Sequence, residues 1–257
     1  AFPDLSNGKD ADFFFIKNED AEQVAENIVQ LVRNRLPKAY NMPTNKIQVL
    51  TPMQRGVVGA SNLNIVLQEA INPSKVGLNR SGYSFRQGDR VMQIRNNYDK
   101  NVFNGDLGYI QAVDMEERTL MVDFDGTLVE YEVSELDELT LAYATTIHKS
   151  QGSEYPIVVI PVLMNHYVML QRNLIYTGIT RAKKICVLIG STKALAYAIH
   201  NMTVLRRNTK LKERINPSLT VVNANKAIPL EKHGYETGKE SSLGMVAEEK
   251  TPYGSSK

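Results

Sequence analysis

The sequence is poor in residues that define several protein classes. Its 257 residues include one cysteine, Cys186, and no tryptophan. A single cysteine excludes an intrachain disulfide and fits a reducing compartment, so we expect a cytoplasmic protein. No cysteine and histidine cluster has the spacing of a zinc site, and we therefore expect no bound metal in this chain.

Long apolar runs are also missing. The longest, such as residues 157–163, are far too short to span a bilayer, so a membrane is not an expected partner. The first residues lack the basic and then apolar pattern of a signal peptide. The chain begins with Ala1 rather than Met, and we expect it to be a piece of a longer protein.

Charge of one sign is scarce as well. The formal net charge is +2, too small to indicate a nucleic-acid-binding protein by itself. A balanced chain can still carry a basic groove, so the charge does not exclude one. Hydrophobic residues make up 42% of the chain, enough for a sizeable core in one large domain or two modest ones.

The first part of the chain has an alternating pattern of strands and helices. Apolar runs at 13–16 and 47–50 predict strands, and helical spacing predicts helices over 20–36, limited by Pro37, and from Leu63 to Ile71. This order favours a parallel sheet covered by helices, an α/β fold.

A different texture follows from Tyr83 to Leu139. Short alternating segments are broken by turn residues, and Asp125-Gly126 is a strong two-residue hairpin signal. The predicted strands lie at 90–95, 109–113, 119–124 and 128–133. So many short strands indicate a small β-barrel, which we interpret as an insertion into the α/β pattern.

The α/β pattern then resumes. We predict a dense buried strand at 157–162, a helix over 174–182, a strand at 185–189 and a helix over 192–202. A basic helix is predicted at 206–214. The predicted domains are an α/β lobe at 1–82 and 140–215, a barrel at 83–139 and a flexible tail at 216–257.

Three polar segments could carry chemistry. Thr145 to Glu154 is dense in hydroxyl, amide and basic groups, which suit a phosphate-oxygen ligand, and ligands of open α/β sheets gather at strand ends. Tyr176 to Lys183 places Arg181 after a helix, where a guanidinium could hold a phosphoryl group. Thr51 to Gly56 follows a strand and contains Arg55. Each segment could equally be a plain polar loop or a solvated helix end.

Together, in this order, the three segments resemble superfamily 1 helicases, and most closely the RecD family. Thr146 to Glu154 is similar to helicase motif V and Tyr176 to Lys183 to motif VI, while Leu50 to Gly56 resembles the motif after motif IV. Gly88 to Gln93 and Asn104 to Gly108 resemble the family's SH3-like insertion. The resemblance extends from about Asp12 to Arg214 and implies a RecA-like lobe.

The resemblance implies roles for individual residues. It implies ATP with Mg²⁺ between two RecA-like lobes and single-stranded DNA across both, with 5′→3′ polarity. Arg181 is then the catalytic arginine finger. The implied nucleotide-binding residues are Gln151, Gly152, Glu154 and Arg181. The implied DNA-binding residues are Thr51, Pro52, Arg55, Thr146, His148 and Lys149.

Half of such an active site is missing from the sequence. No G-x-x-x-x-G-K-[ST] phosphate loop occurs, no buried strand ends in a magnesium-binding acidic pair, and motif IV is absent. We therefore expect the first lobe to be a partner carried by the same parent protein. This chain alone should bind neither ATP nor Mg²⁺ and should not hydrolyse ATP.

Other interpretations stay open. Tyr83, Phe85, Tyr98 and Phe103 lie among Arg86, Arg90, Arg95 and Lys100, an interleaving that suits single-stranded nucleic acid, although a barrel core explains the aromatic residues equally well. The chain could thus be a stand-alone single-stranded nucleic-acid-binding module. It could also be a structural subunit that docks other subunits of a recombination complex, or a piece of a conjugative relaxase–helicase.

Overall fold

The computed structural model describes residues 11–201, so the predicted basic helix at 206–214 and the predicted tail at 216–257 lie outside the described residues. The helices are α1 (Ala21–Gln30), α2 (Leu36–Tyr40), α3 (Ala60–Ile71), α4 (Arg172–Ile179) and α5 (Thr192–His200). The strands are β1 (Phe13–Lys17), β2 (Ile47–Thr51), β3 (Gly77–Arg80), β4 (Tyr83–Arg86), β5 (Arg90–Gln93), β6 (Leu107–Asp114), β7 (Thr119–Phe124), β8 (Thr127–Glu132), β9 (Leu139–Leu141), β10 (Ala144–Thr146), β11 (Tyr155–Val162) and β12 (Ala182–Gly190).

A five-stranded parallel sheet forms the centre of the α/β part. Its strand order is β1-β12-β11-β2-β10. Strand β11 is buried on both faces, which explains its nearly unbroken apolar sequence. Val159 joins the core cluster that includes α1 and α3, whereas Val158 joins the cluster that includes α4 and α5. Helices thus cover both faces, and the predicted α/β fold is confirmed.

Residues 77–141, which we call the β segment, form two antiparallel sheets. One pairs β3 with β4, and the other has the order β8-β7-β6-β5-β9. Both contribute to one core, because Leu78 and Phe85 pack with Ile110 and Tyr131. Hairpin β7–β8 turns at Asp125 and Gly126, whose φ angles of 51° and 94° are those of the predicted two-residue turn.

A buried carboxylate fastens the β segment to α3. Asp89 is 0% exposed and accepts hydrogen bonds from the side chains of Gln68, Asn72 and Tyr143 and from the backbone N–H of Arg86. Burial raises the pKa of Asp89, while these donors oppose that rise. Since a buried carboxylate needs its partners, this cluster fixes how the β segment meets the α/β part.

Two predicted helix ends are wrong. The first helical stretch does not stop before Pro37, because a π-helical turn (Leu31–Arg35) leads directly into α2. Pro37 directly follows the π-helical turn, in which the Leu36 amide donates to the Leu31 carbonyl five residues back, so the helix is widened where proline lacks its N–H. The stretch ends at Asn41 with φ 49°. Helix α4 ends at Ile179, and Ala182 instead pairs with Tyr155 as the first residue of β12.

Residues 11–201 contain no helix suited to crossing a membrane. None of their helices combines the length and the apolar character that a bilayer requires.

Candidate nucleotide and nucleic-acid site

Thr51 and Thr146 lie side by side at the carboxyl end of the sheet. They are register partners, the last residues of β2 and β10, and the Ile147 amide donates a 3.0 Å hydrogen bond to the Thr51 carbonyl. The Thr51 side chain is buried, and its hydroxyl donates to the Val58 carbonyl at 2.7 Å. Thr51 therefore fixes the loop that follows it, whereas Thr146 is only half-buried.

That loop folds back onto the start of α3. The amides of Ala60 and Ser61 donate to the carbonyls of Met53 and Gln54, each at 3.0 Å. Gly59 makes the fold possible, because a Cβ there would lie 2.4 Å from the Arg55 carbonyl. Pro52 is buried and Arg55 is exposed, so Arg55 is the loop's predicted DNA-binding residue that solvent reaches.

Residues 147–152 form a series of turns rather than an extended loop. Ser150 is fully buried, and its hydroxyl donates to the Ile147 carbonyl at 2.8 Å. This bond holds the turn closed and leaves His148 and Lys149 exposed. Sequence reasoning gave Ser150 no role, since a serine in a polar segment does not by itself indicate burial.

Glu154 and Arg181 lie at the opposite end of the sheet. Tyr155 and Ala182, which follow them, are register partners and begin β11 and β12. The Arg181 guanidinium donates from Nη1 to the Ser153 carbonyl at 3.1 Å and from Nε to the Thr177 carbonyl at 3.3 Å. Nη2 also donates to the Thr180 hydroxyl at 3.4 Å. Because the acceptor at residue 153 is a backbone atom, the identity of that residue could not reveal the contact.

Charge at this end is balanced locally. Glu154 forms a 3.1 Å ion pair with Lys183, and both side chains are more than half exposed, so the pair contributes little stability. Gln151 and Gly152 are exposed beside it, and Gly152 has φ 88°. Gln151, Gly152 and Glu154 thus lie in one exposed segment that precedes β11, and Arg181 lies beside this segment, where it precedes the adjacent strand β12.

The two predicted residue sets therefore lie at different ends of the sheet. Thr51 and Thr146 end parallel strands, whereas Glu154 and Arg181 precede parallel strands. The expectation that ligands gather where strands end describes only the first set. Residues 146–154 run from one end to the other, so this segment alone connects the two sets in sequence.

The aromatic residues of the β segment divide into two groups. Phe85 is fully buried in the core and Tyr83 packs against it. Tyr98 is 76% exposed and Phe103 is 41% exposed, and their rings meet edge to face with centroids 5.9 Å apart. The core interpretation therefore holds for the first two residues and does not hold for the last pair.

Two of the four neighbouring cations are already in ion pairs, and a third is buried. Arg86 forms an ion pair with Glu69, Lys100 pairs with Glu135 at 2.6 Å, and Arg90 is buried. Only Arg95 of the four cations singled out in the sequence is exposed. Within residues 11–201, no cluster of three or more histidine, cysteine, aspartate or glutamate side chains could hold a metal ion.

Two family models match this chain. The model described as the ATP-dependent RecD-like DNA helicase SH3 domain matches residues 63–124, and the model described as the UvrD-like helicase C-terminal domain matches residues 141–189. The first covers most of α3 and most of the β segment, and the second covers the strands and turns that carry Thr146, Glu154 and Arg181.

Curated relatives point in the same direction. An ATP-dependent RecD2 DNA helicase of Deinococcus radiodurans is 42% identical over 66% of this chain and 23% of its own length. The RecBCD enzyme subunit RecD of Haemophilus influenzae is 30% identical over 70% of this chain and 27% of its own length. The chain thus spans about a quarter of these relatives. A solved structure of a Bacteroides Pif1 bound to single-stranded DNA overlaps 78% of this chain and 55% of its own, with 16% identity and a TM-score of 0.44.

Proposed function

The chain is a C-terminal region of a RecD-like superfamily 1 helicase, and from that premise we propose that it is the second motor lobe of an ATP-dependent 5′→3′ DNA helicase. In this proposal it binds single-stranded DNA and presents Arg181 to ATP held by a first RecA-like lobe. The polarity rests on the RecD likeness alone. The first lobe, on the same protein, is the principal partner, and other subunits of a recombination complex are further partners.

The observation that carries the proposal is the course of residues 146–154. The segment begins beside Thr51 at the carboxyl end of the sheet and ends beside Arg181 at the amino end. A motor must relate DNA contact to nucleotide chemistry, and one short segment that reaches both ends provides a physical connection between them. Thr146, His148 and Lys149 would meet the DNA, and Gln151, Gly152 and Glu154 would meet the nucleotide.

Arg181 has the chemistry that the catalytic role requires. Its guanidinium is only half-buried, and its present acceptors are two backbone carbonyls and the Thr180 hydroxyl rather than a carboxylate. A phosphoryl group would be a stronger acceptor, because both partners of that hydrogen bond would be charged. Bound ATP supplies the phosphoryl group whose developing charge such an arginine offsets.

The rest of the nucleotide site fits a position outside this chain. A phosphate-binding loop is absent from the 257 residues, and the described residues offer no acidic cluster for Mg²⁺. Lysine and metal positioning contribute to phosphoryl transfer together with the arginine. The proposal therefore assigns Mg²⁺ and the phosphates to the first lobe, and the 257-residue chain alone should show negligible ATP hydrolysis with or without DNA.

The test is steady-state ATP hydrolysis by the full-length protein. Arg181→Ala should lower DNA-stimulated turnover by about 10³–10⁵-fold. Arg181→Lys should fail as well, because an ammonium cannot reproduce the planar fork of a guanidinium. The matched control is Lys184→Ala, which removes an exposed cation three residues away. Near-normal turnover in Arg181→Ala would exclude the arginine-finger role.

A second experiment tests the proposed DNA-binding residues. Thr146→Ala should weaken binding to single-stranded DNA while ATP affinity stays close to normal, and Arg181→Ala should leave DNA binding without nucleotide unchanged. Thr127→Ala, at the exposed start of β8, is the control threonine. A loss of DNA binding in Arg181→Ala, or none in Thr146→Ala, would show that the two sets are assigned to the wrong ligands.

A second candidate function rests on the Tyr98–Phe103 pair. An exposed edge-to-face pair on the β segment offers ring surface to unpaired bases, which would suit a module that binds single-stranded nucleic acid without a motor. The ATPase arm separates the candidates, since a pure binding module would show DNA affinity with no turnover in the full-length protein.

A further inference from the structure

Arg90 joins the β segment to the central sheet through two aromatic rings. It lies on β5 and is 7% exposed. Its guanidinium carbon is 6.0 Å from the ring centre of Tyr109, its register partner on β6, and 5.7 Å from that of Tyr155, the first residue of β11. One cation therefore contacts a ring from each part of the molecule.

This guanidinium has no hydrogen-bond acceptor among the described residues. Its Nε is buried without a partner, and so is the hydroxyl of Tyr155. Arg86, on β4 of the other sheet, also has an unpartnered Nε, but its two Nη atoms bind Glu69 and, at 2.8 Å, the Asn72 carbonyl. A buried Nε without an acceptor is unfavourable, and the faces of the two rings are favourable contacts that the guanidinium makes with the rest of the protein.

Tyr155 leads directly to the backbone that supports Arg181. The Tyr155 amide donates to the Arg181 carbonyl at 2.8 Å, and the Ser153 carbonyl accepts from Arg181 Nη1 at 3.1 Å. The ring that Arg90 contacts thus belongs to the same three-residue stretch that holds Arg181 at its backbone and at its side chain. A shift of that ring would move both bonds.

We propose that Arg90 is a positioning residue that couples the β segment to Arg181 through the ring of Tyr155. When DNA moves the β segment, Arg90 carries that movement to residues 153–155 and alters how Arg181 is presented. The kinetic consequence rests on the proposed function, whereas the mechanical link between Arg90 and residues 153–155 does not.

The chemistry of this contact determines which side chains can replace Arg90. A cation held by ring faces needs charge and reach, whereas a cation held by paired hydrogen bonds needs the guanidinium fork. Arg90 makes no paired hydrogen bonds, so Arg90→Lys should preserve the contact with the Tyr155 ring. Arg90→Met keeps the aliphatic stem but not the charge, and it should lose this contact. Arg181 has the opposite requirement, because its role needs the fork.

The first arm measures hydrogen exchange in the 257-residue chain. Arg90→Met should raise exchange of the Tyr155 amide about two- to thirtyfold, the range that corresponds to one lost cation–π contact, and Arg90→Lys should stay close to wild type. The amides that pair β11 with β2 lie in the buried centre of the parallel sheet, report on global folding and should not change. Arg33→Met removes an exposed arginine of the π-helical turn and is the control.

Two results of this arm would overturn the inference. One is unchanged Tyr155 exchange in Arg90→Met. The other is a loss in Arg90→Lys as large as in Arg90→Met, which would indicate an acceptor bound by the fork. Tyr155→Phe is the control for a general effect of mutation at this position. It keeps the ring and removes the unpaired hydroxyl, so it should not increase exchange of the amide of residue 155.

The second arm measures ATP turnover of the full-length protein. Arg90→Met should lower DNA-stimulated kcat about two- to thirtyfold with KM for ATP and affinity for DNA unchanged, and Arg90→Lys should restore it. If Arg181→Ala lacks ATP turnover and Arg90→Met has normal turnover, the proposed coupling is excluded and the proposed function is unaffected. If Arg181→Ala is active, the proposed function fails, and the exchange arm still decides whether Arg90 positions residues 153–155.

Discussion

The phenolic hydroxyl of Tyr143 donates a 2.9 Å hydrogen bond to Oδ1 of Asp89, the atom that also accepts from Asn72 at 2.8 Å. Tyr143 precedes β10 and Asn72 follows α3, so one carboxylate oxygen binds both ends of the chain that flank the β segment. Burial and the neighbouring carboxylate both raise the pKa of Tyr143, which therefore stays a donor.

Replacing this carboxylate should be costly. Asp89→Asn turns an amide NH₂ toward donors and should lower the free energy of unfolding by about 2–4 kcal/mol, because buried donors are left without acceptors. Chemical denaturation measures the change. Asp125→Asn is the matched control, since Asn suits the first position of that hairpin turn and should change stability by less than about 0.5 kcal/mol. A mild effect of Asp89→Asn would contradict the fastening role.

His166 should make stability dependent on pH. Burial lowers the pKa of His166 to about 4, and its Nδ1 has no partner. The unfolded chain binds the proton near pH 6.5, so stability is fully present above about pH 6.5 and falls as the pH drops toward 4, by at most about 3 kcal/mol. His166→Phe should flatten the stability profile between these values in urea titrations. The exposed His200→Gln should keep the wild-type slope.

The exposed aromatic pair should matter for DNA. Tyr98→Ala and Phe103→Ala should each weaken binding to single-stranded oligonucleotides by about 1–3 kcal/mol if each ring stacks on one base. Fluorescence titration with a labelled oligonucleotide is the measurement. Leu128→Ala removes a 62% exposed apolar side chain from β8 of the same segment and should have no effect. Equal affinities for all three variants would exclude stacking at this pair.

Salt dependence should identify the phosphate contacts. Each cation that neutralises a phosphate steepens the plot of log affinity against log salt by about 0.7 on single strands. Arg55→Ala and Lys149→Ala should each reduce the slope by about that amount, because both side chains are exposed at the carboxyl end of the sheet. The control is Lys38→Ala, an exposed lysine of α2. An unchanged slope in the first two variants would remove this end of the sheet from the DNA path.

Periodicity in the sequence was sufficient for the main elements. The burial of β11 on both faces follows from its unbroken apolar run, and Asp125-Gly126 located a hairpin because few other residues tolerate two positive φ angles. Pro37 misled, since a proline usually ends a regular α-helix, and only the structure shows that a π-helical turn before it lets the helical stretch continue.

The site could be foreseen only in part. Residue types located Thr146, Glu154 and Arg181, but the sequence alone could not place them at opposite ends of the sheet, because that depends on strand register. Two of the three side-chain hydrogen bonds of Arg181 go to backbone carbonyls, and the contact of Arg90 with Tyr155 joins residues 65 positions apart. Neither kind of contact leaves a pattern in a single sequence.

The shared acceptor at Asp89 also bears on how the protein can be re-engineered. Asn72 and Tyr143 bind the same oxygen, so the chain leaves and re-enters the α/β part at nearly one point. Changes of length within residues 73–142 therefore need not alter any strand of the parallel sheet, provided that the two ends stay together. A short turn that joins α3 to β10 is the corresponding design for a minimal α/β lobe. It should be combined with an apolar substitution at Gln68, whose acceptors at Ser84 and Asp89 would be removed, while Asn64 is kept because it binds both the amide and the carbonyl of Ala144.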